Sequence, residues 1–400
     1  MQCERLSEDG NSCDMHEACH RSAVTVFVKT YEGVGNMSEE RFDCIVVGGG
    51  LAGLTTAYVL ANAGKEVMLI ERGNYCGAKN VTGGRMYGHS MEKVIPGFAK
   101  KAAIERKVVR ERLSSVADGT FSTKEFASCD SQIPGGESYT VLRSKFDRWF
   151  AEQAEEAGAM LINDILVEDL LVREGRVCGI IASGEVMEAD IVILAEGVNG
   201  LLAQKIGMKA PVESDMVSVG AKELIGLSKD VIQERFELND GEGMAWMING
   251  FDGVCDAFLY TNHESISAGI SMKVSRINQT EKSVPEMLED FLEHPEIAPL
   301  LEGGKLLEYS AHLFPEGSIQ KIGPFYGDGV LITGDVAGLC MNFGDTLRGM
   351  DLAVESGRLA AETAIKALDQ GKFTREILAG YQKALEESSI YAILTSREEE

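Results

Sequence analysis

Residues 43–71, DCIVVGGGLAGLTTAYVLANAGKEVMLIE, constrain this fold more than any other stretch. Residues 44–47 read as a strand, 54–63 as a helix of small and apolar residues suited to packing on a sheet, and 66–70 as a second strand. Strand, turn, helix and strand within about 30 residues form one βαβ unit. Such a unit crosses over in the right-handed sense and begins a parallel sheet. The chain is therefore expected to be an α/β protein whose fold starts near Met37. Residues 1–36 lack periodicity, and Met37 stands just before the polar lead-in Ser38 to Arg41. We expect Met37 to be the functional start and the preceding segment to be a disordered or non-native extension.

The turn carries the first chemistry. Gly48, Gly50 and Gly53 supply a GxGxxG spacing directly after a strand and at the opening of a helix. The first glycine permits the tight turn, the second lets the backbone approach a pyrophosphate, and the third allows close helix and strand packing. Unpaired N–H groups at the helix N-terminus then face the diphosphate. Glu71 ends the second strand where a carboxylate would accept hydrogen bonds from the ribose hydroxyls and repel a 2′-phosphate, which favours FAD or NAD over NADP. The plainer alternative is a Gly-rich turn in an ordinary α/β sheet, with Glu71 a solvated strand end. Four elements in register argue against it. Choosing FAD over NAD rests on Gly334-Asp335 followed by Ala337-Gly338, where an Asp can bind ribityl hydroxyls and a following helix can aim its positive end at the flavin pyrimidine ring. Taken alone, that segment reads equally well as a strand-to-helix turn capped by Asp335.

Further along, residues 145–157 read as a helix and 165–172, 177–182 and 191–194 as strands. From about residue 218 to 310 the pattern changes, with strands at 257–261 and 265–272 around a helix at 284–292. A short buried strand at 330–333 and helices at 347–368 and 375–385 return the chain to the first unit. The expected organisation is a discontinuous nucleotide-binding domain, 37–215 and 315–390, an inserted mixed α+β substrate domain, 216–314, and an acidic tail, 391–400. The small residues Ala353, Gly357, Ala360 and Ala361 recur at helical spacing and are expected to be close-packing positions.

Net charge of −25 argues against nucleic-acid binding, which needs clustered Lys and Arg against phosphate. No uninterrupted apolar run reaches the roughly 18 residues of a spanning helix, so membrane contact is expected to be peripheral. The nine cysteines show no CxxC spacing, which suits a reducing compartment, and residues 1–36 contain no secretory h-region. The expected location is cytoplasmic, with peripheral attachment to the inner face of the cytoplasmic membrane as an option. Cys13, His16, Cys19 and His20 match no strong zinc signature, and no metal is expected. There is no GxSxG elbow and no HExxH, so no protein nucleophile, acid or base is assigned.

Read together, these motifs resemble the electron-transfer flavoprotein-quinone oxidoreductase family, FixC-type branch. The resemblance spans about residues 38–387 and is carried by DCIVVGGGLAGLTTAYVLANAGKEVMLIERG from Asp43, GAKNVTGGRMYGHSMEKVIPGF from Gly77, YTVLRSKFDRWFAEQAEEAGA from Tyr139 and GVLITGDVAGLCMN from Gly329. It implies a glutathione-reductase-type FAD-binding fold with a substrate domain closing over the flavin. It also implies that Gly48, Gly50, Gly53, Glu71 and Arg72 hold the ADP half, that Arg143 lies along the FAD, and that Gly334 and Asp335 hold the ribityl chain with Gly338 near the isoalloxazine. The stretch Lys79 to Arg85, including Gly83 and Gly84, would line the reactive face.

The implied function is relay of electrons from an electron-transfer flavoprotein to a membrane quinone or a separate ferredoxin-like iron–sulfur protein. The separate protein enters because no cysteine follows Cys340, where some family members have four that hold a cluster. The sequence ends at SREEE, earlier than is usual in the family, which puts partner and membrane contact in question. Two other readings are a flavin-dependent reductase or hydroxylase of an isoprenoid or aromatic molecule using NAD(P)H, and a non-catalytic flavin-binding subunit. His89 and His312 are expected to be hydrogen-bonded structural histidines and Tyr260 a core strand residue.

Overall fold

The computed structural model describes residues 41–79, 84–128, 136–316, 324–342 and 346–391. The expectations for residues 1–36, for Gly83 and for the tail beyond 391 lie outside them.

Apolar runs build the first sheet. Val67–Ile70 and Val330–Ile332 are buried at every position, as are the last four residues of Arg41–Val47 and of Glu185–Leu194. Continuous rather than alternating burial is what a strand covered on both faces requires. These strands lie parallel in the order Val330–Ile332, Glu185–Leu194, Arg41–Val47, Val67–Ile70 and Met160–Ile162, with Val47 level with both Ile70 and Leu194. A hairpin, Val167–Arg173 and Arg176–Ala182, joins antiparallel through Glu185–Leu194. The carboxyl ends of the parallel strands therefore open in one place, where ligands bind in sheets of this kind.

The helix Leu51–Asn62 is buried along most of its length because it is covered by the sheet on one side and by Met350–Gln370 on the other. Thr56 donates from Oγ1 to the Gly357 carbonyl at 3.2 Å, and a Cβ on Gly357 would come 2.4 Å from the Ala52 carbonyl oxygen. Ala353, Gly357, Ala360 and Ala361 are all buried in this contact region, as their spacing suggests. Arg143–Glu156 also packs on Leu51–Asn62, with the Tyr58 and Phe150 rings 5.9 Å apart.

The second sheet has nine strands. Its order is Lys305–Pro315, Val217–Gly226, Ser265–Lys273, Cys255–Thr261, Glu242–Phe251, Ile104–Ala117, Ser138–Val141 and Gly84–Tyr87, with Thr120–Ala127 paired to Ile104–Ala117. All pairs are antiparallel except Glu242–Phe251 with Ile104–Ala117. Alternation sorts its side chains. Ala221, Ile225, Ile266, Ala268 and Ile270 join an apolar cluster with Phe291 of the helix Val284–Leu292, and the intervening residues face the other way.

Here the structure differs from the expected division. The sheet to which 217–315 belongs also takes four strands from 84–141, a segment the sequence reading left with the nucleotide unit. The reason is visible in Ile104–Ala117, IERKVVRERLSSVA, whose charged side chains mask a strand held by backbone pairing. The final helices also shift. Residues 347–348 pair with Met341–Asn342, so the long helix starts at Met350, and 375–385 divides into Arg375–Leu378 and Gly380–Glu386.

Candidate flavin site

The glycine turn does with backbone what its spacing suggests. A Cβ on Gly48, at φ +108°, would come 2.3 Å from the Ala195 carbonyl oxygen, and one on Gly53 would come 1.9 Å from the Gly48 carbonyl oxygen. A Cβ on Gly50 would meet nothing within 4 Å. The first and third glycines thus close the turn against neighbouring backbone, and the second leaves open space at the N-terminus of the helix. Glu71, buried at the end of its strand, accepts from the Gly49 N–H at 2.7 Å and the Gly73 N–H at 2.6 Å. Each carboxylate oxygen retains a further lone pair for a ligand hydroxyl.

A single cavity of ≈ 510 Å³ runs from this turn to the second sheet. Among the expected positions, Gly48, Gly50, Glu71, Arg72, Lys79, Gly84, Arg143 and Asp335 line it. Gly53, Gly334 and Gly338 do not line it; they shape the backbone beside it. Asp335 sits in a single 3-10 turn, Gly334–Ala337, rather than at the head of a helix. The helix whose N-terminus reaches the cavity begins further on, at Gly349 and Met350. The expected strand, turn and helix are therefore separated by a two-stranded ribbon.

Charged residues of the wall are held in place by residues in and behind it. Arg143 clamps the buried Asp147 with two hydrogen bonds of 2.7 Å. Burial works against the Arg143 charge, but Asp147 outweighs it and raises the pKa. Burial pushes the Asp335 carboxyl up against the pull of Arg143 and Lys209. Lys209 donates to the Val336 carbonyl at 3.0 Å, and burial lowers its pKa. Glu196 accepts from the Leu202 and Ala203 N–H groups at 2.9 and 2.8 Å, with burial raising its pKa.

The second sheet contributes Met247, Phe258, Tyr260 and Phe314, together with Lys222 and His312. Tyr260 is the strand residue expected, with its hydroxyl on Met247 Sδ at 3.5 Å, and it lines the cavity as well. His89 has a structural setting, with Nε2 3.5 Å from Asp351. His312, by contrast, is a wall residue, its pKa lowered by burial and then by Arg143 and Arg72. Sequence reasoning passed over Lys222, Glu196, Lys209 and Gly349. For Lys222 the available signal was strand alternation in VSVGAKELIG, which groups Gly220 with Lys222 without saying what their face meets. Among the described residues, no group of three or more His, Cys, Asp or Glu could hold a metal ion.

The donors fit an FAD in kind: an open-spaced glycine turn, a strand-end carboxylate, a buried aspartate and a helix N-terminus share one cavity. The family model for FAD dependent oxidoreductases matches residues 43–118. Solved structures of the same fold include a geranylgeranyl bacteriochlorophyll reductase-like protein from Thermoplasma acidophilum, with TM-score 0.73 and 20% identity covering 87% of this chain and 84% of that one. Another is the myxobacterial chondrochloren halogenase CndH, with TM-score 0.69 and 17% identity covering 89% and 82%. The chain is an FAD-dependent oxidoreductase.

Sequence comparison narrows this class. The chain is 50% identical to protein FixC of Escherichia coli (strain K12) over 88% of its own length and 82% of the relative's. It is 47% identical to the probable electron transfer flavoprotein-quinone oxidoreductase YdiS of the same organism, covering 88% and 83%. It belongs to the FixC-type branch of the electron-transfer flavoprotein-quinone oxidoreductase family.

Proposed function

We propose that this protein takes electrons from a reduced electron-transfer flavoprotein and passes them, through its FAD, to a quinone or a separate ferredoxin-like iron–sulfur protein. The observation that carries this reading is the 47% identity, across 88% of this chain, with YdiS, whose name as a probable electron transfer flavoprotein-quinone oxidoreductase gives the donor and the quinone; the ferredoxin-like acceptor is our extension from the lack of cluster cysteines after Cys340. Bound FAD supplies the redox chemistry, accepting electrons in pairs and releasing them singly or in pairs. The chain's residues bind and orient it. In this reading the N–H groups after Gly50 meet the diphosphate, Glu71 and Arg72 hold the adenosine ribose and its surroundings, and Asp335 holds the ribityl chain. Arg143, fixed by Asp147, sets a positive charge along the cofactor, and Lys79 and Gly84 border its reactive end. Met247, Phe258 and Phe314 keep water from the opposite side. No helix among the described residues is long and apolar enough to cross a membrane, and we place the protein at the cytoplasmic side of a membrane that holds the quinone.

The test is to purify the protein anaerobically and mix it with reduced electron-transfer flavoprotein or, separately, with NADH and NADPH. Rapid bleaching of its flavin by the flavoprotein alone is expected. Bleaching only by a nicotinamide would replace the relay with a small-molecule reductase or hydroxylase, and protein without reducible flavin would point to a binding subunit.

A further inference from the structure

The wall that the second sheet gives to the cavity contains a buried lysine. Lys222 is 1% exposed, on the strand Val217–Gly226, with Gly220 two residues before it on the same face. Its cross-strand partners are Gly269 and Ser310. A Cβ on Gly269 would come 2.5 Å from Lys222 Cβ and 2.5 Å from Phe258 Cζ. The lysine stem and the aromatic ring thus share the space over bare backbone, and that packing sets where the amine lies in the cavity wall.

The charged and titratable groups around it come from several elements. Glu308 lies on the neighbouring outer strand and Arg143 at the head of its helix, while His312, Tyr260, Asp335 and Cys340 line the same cavity. Burial holds the Lys222 ammonium well below its ordinary range, with Glu308 opposing and Arg143 adding to the effect. Burial pushes the Tyr260 hydroxyl and the Cys340 thiol up, so both keep their protons throughout. Burial lowers the His312 pKa, with Arg143 and Arg72 adding to the effect, which makes the imidazole the competing proton acceptor that the test must separate from Lys222. A buried amine responds strongly to negative charge arriving beside it.

We propose that Lys222 is the proton partner of flavin reduction in this protein, binding one proton from solvent when the bound flavin gains two electrons and releasing it when they leave. The balance is two electrons and one proton to the ring, leaving it with one negative charge, and one proton to the Lys222 amine, making it an ammonium. Reoxidation reverses both. The electrons come from any two-electron reductant. The inference rests on FAD alone and stands whichever donor and acceptor the protein uses.

The test is a spectroelectrochemical titration of the holoprotein with dithionite and mediator dyes, at a series of pH values above the range in which the reduced ring itself protonates. The slope of the midpoint potential against pH reads protons taken up per two electrons. Wild type is expected to show two over part of the range, and both Lys222→Met and Lys222→Arg to show one throughout. The arginine keeps a permanent charge, so its midpoint stays above that of the methionine variant. If the methionine variant loses its flavin, the arginine variant and the wild-type slope still decide. One proton throughout in wild type, unchanged slopes in the variants, or loss of the second proton in His312→Asn would each overturn the assignment.

Discussion

The two sheets that meet across the cavity do their work with different atoms. The parallel sheet builds its part from backbone: the open space at Gly50, the N–H groups at a helix head, and a carboxylate held by the N–H groups of Gly49 and Gly73. Its interior is apolar, a continuous cluster that includes Ile45, Leu54, Phe146 and Leu331. The antiparallel sheet builds its part from side chains presented by alternation, and it buries charge to do so. Arg106, 1% exposed, donates to the carbonyls of Asn262, Glu242 and His263 at 2.6, 2.9 and 3.1 Å. One half tolerates no extra atom at its turn, whereas the other tolerates no lost partner among its buried polar groups.

The sharpest way to break this contrast is Gly53→Ala. Its methyl would meet a carbonyl that cannot move without opening the turn, so we expect loss of about 3 kcal/mol and of nearly all bound FAD. Flavin per chain and urea unfolding check it, and a variant retaining full flavin and stability would remove the backbone argument. The counterpart is Arg106→Met, which leaves the buried Asn262 carbonyl and the carbonyls of Glu242 and His263 without their donor. A loss of about 3 kcal/mol is expected, with flavin affinity much less affected because the change lies in the other sheet. If flavin falls off first, the halves are not independent in this sense.

A third change tests the seam, where Lys93 and Arg358 hold the buried Glu355. Burial would raise the Glu355 pKa, but hydrogen bonds from Arg358 and Lys93 outweigh it and lower it from 4.5. A lowered carboxyl contributes stability above its unfolded value and loses it as pH falls through the folded value. Glu355→Gln should therefore cost about 2 kcal/mol near neutrality, and the gap from wild type should close as the pH drops below 4.5. A gap independent of pH would mean that shape, not charge, matters there. The smallest effect is expected from Ser283→Ala, which removes the capping box of Val284–Leu292 on the face of the second sheet away from the cavity. About 1 kcal/mol should be lost, with the flavin midpoint unchanged.

The same contrast explains what could be read from the residues alone. Residues 43–71 announce their strands, helix and turn because each signal is local: apolar runs, small residues at the helix, glycines at fixed offsets and an acid at a fixed distance. The helix Val284–Leu292 was legible to the residue because its serine cap, proline and apolar spacing all lie within it. Ile104–Ala117 was missed because its charges suit an edge or a loop as well as a strand, and only pairing with Glu242–Phe251 decides between them. The helix start near 347 was misplaced because Leu347–Arg348 has a partner, Met341–Asn342, that no periodicity reveals.

From its sequence alone this protein was bound to contain a strand, glycine turn, helix and strand with Gly48, Gly50, Gly53 and Glu71 in register, since short-range sterics and hydrogen bonding leave that stretch few alternatives. Alternation along Val217–Gly226 could put Gly220 and Lys222 on one face, but period-two patterning has two equivalent faces. Only the packing of Val284–Leu292 against Ala221 and its neighbours turned that face toward the cavity. The tertiary structure alone brought Lys222, His312, Arg143 and Asp335 around one space, because each is placed by a different element and by contacts far apart in the chain.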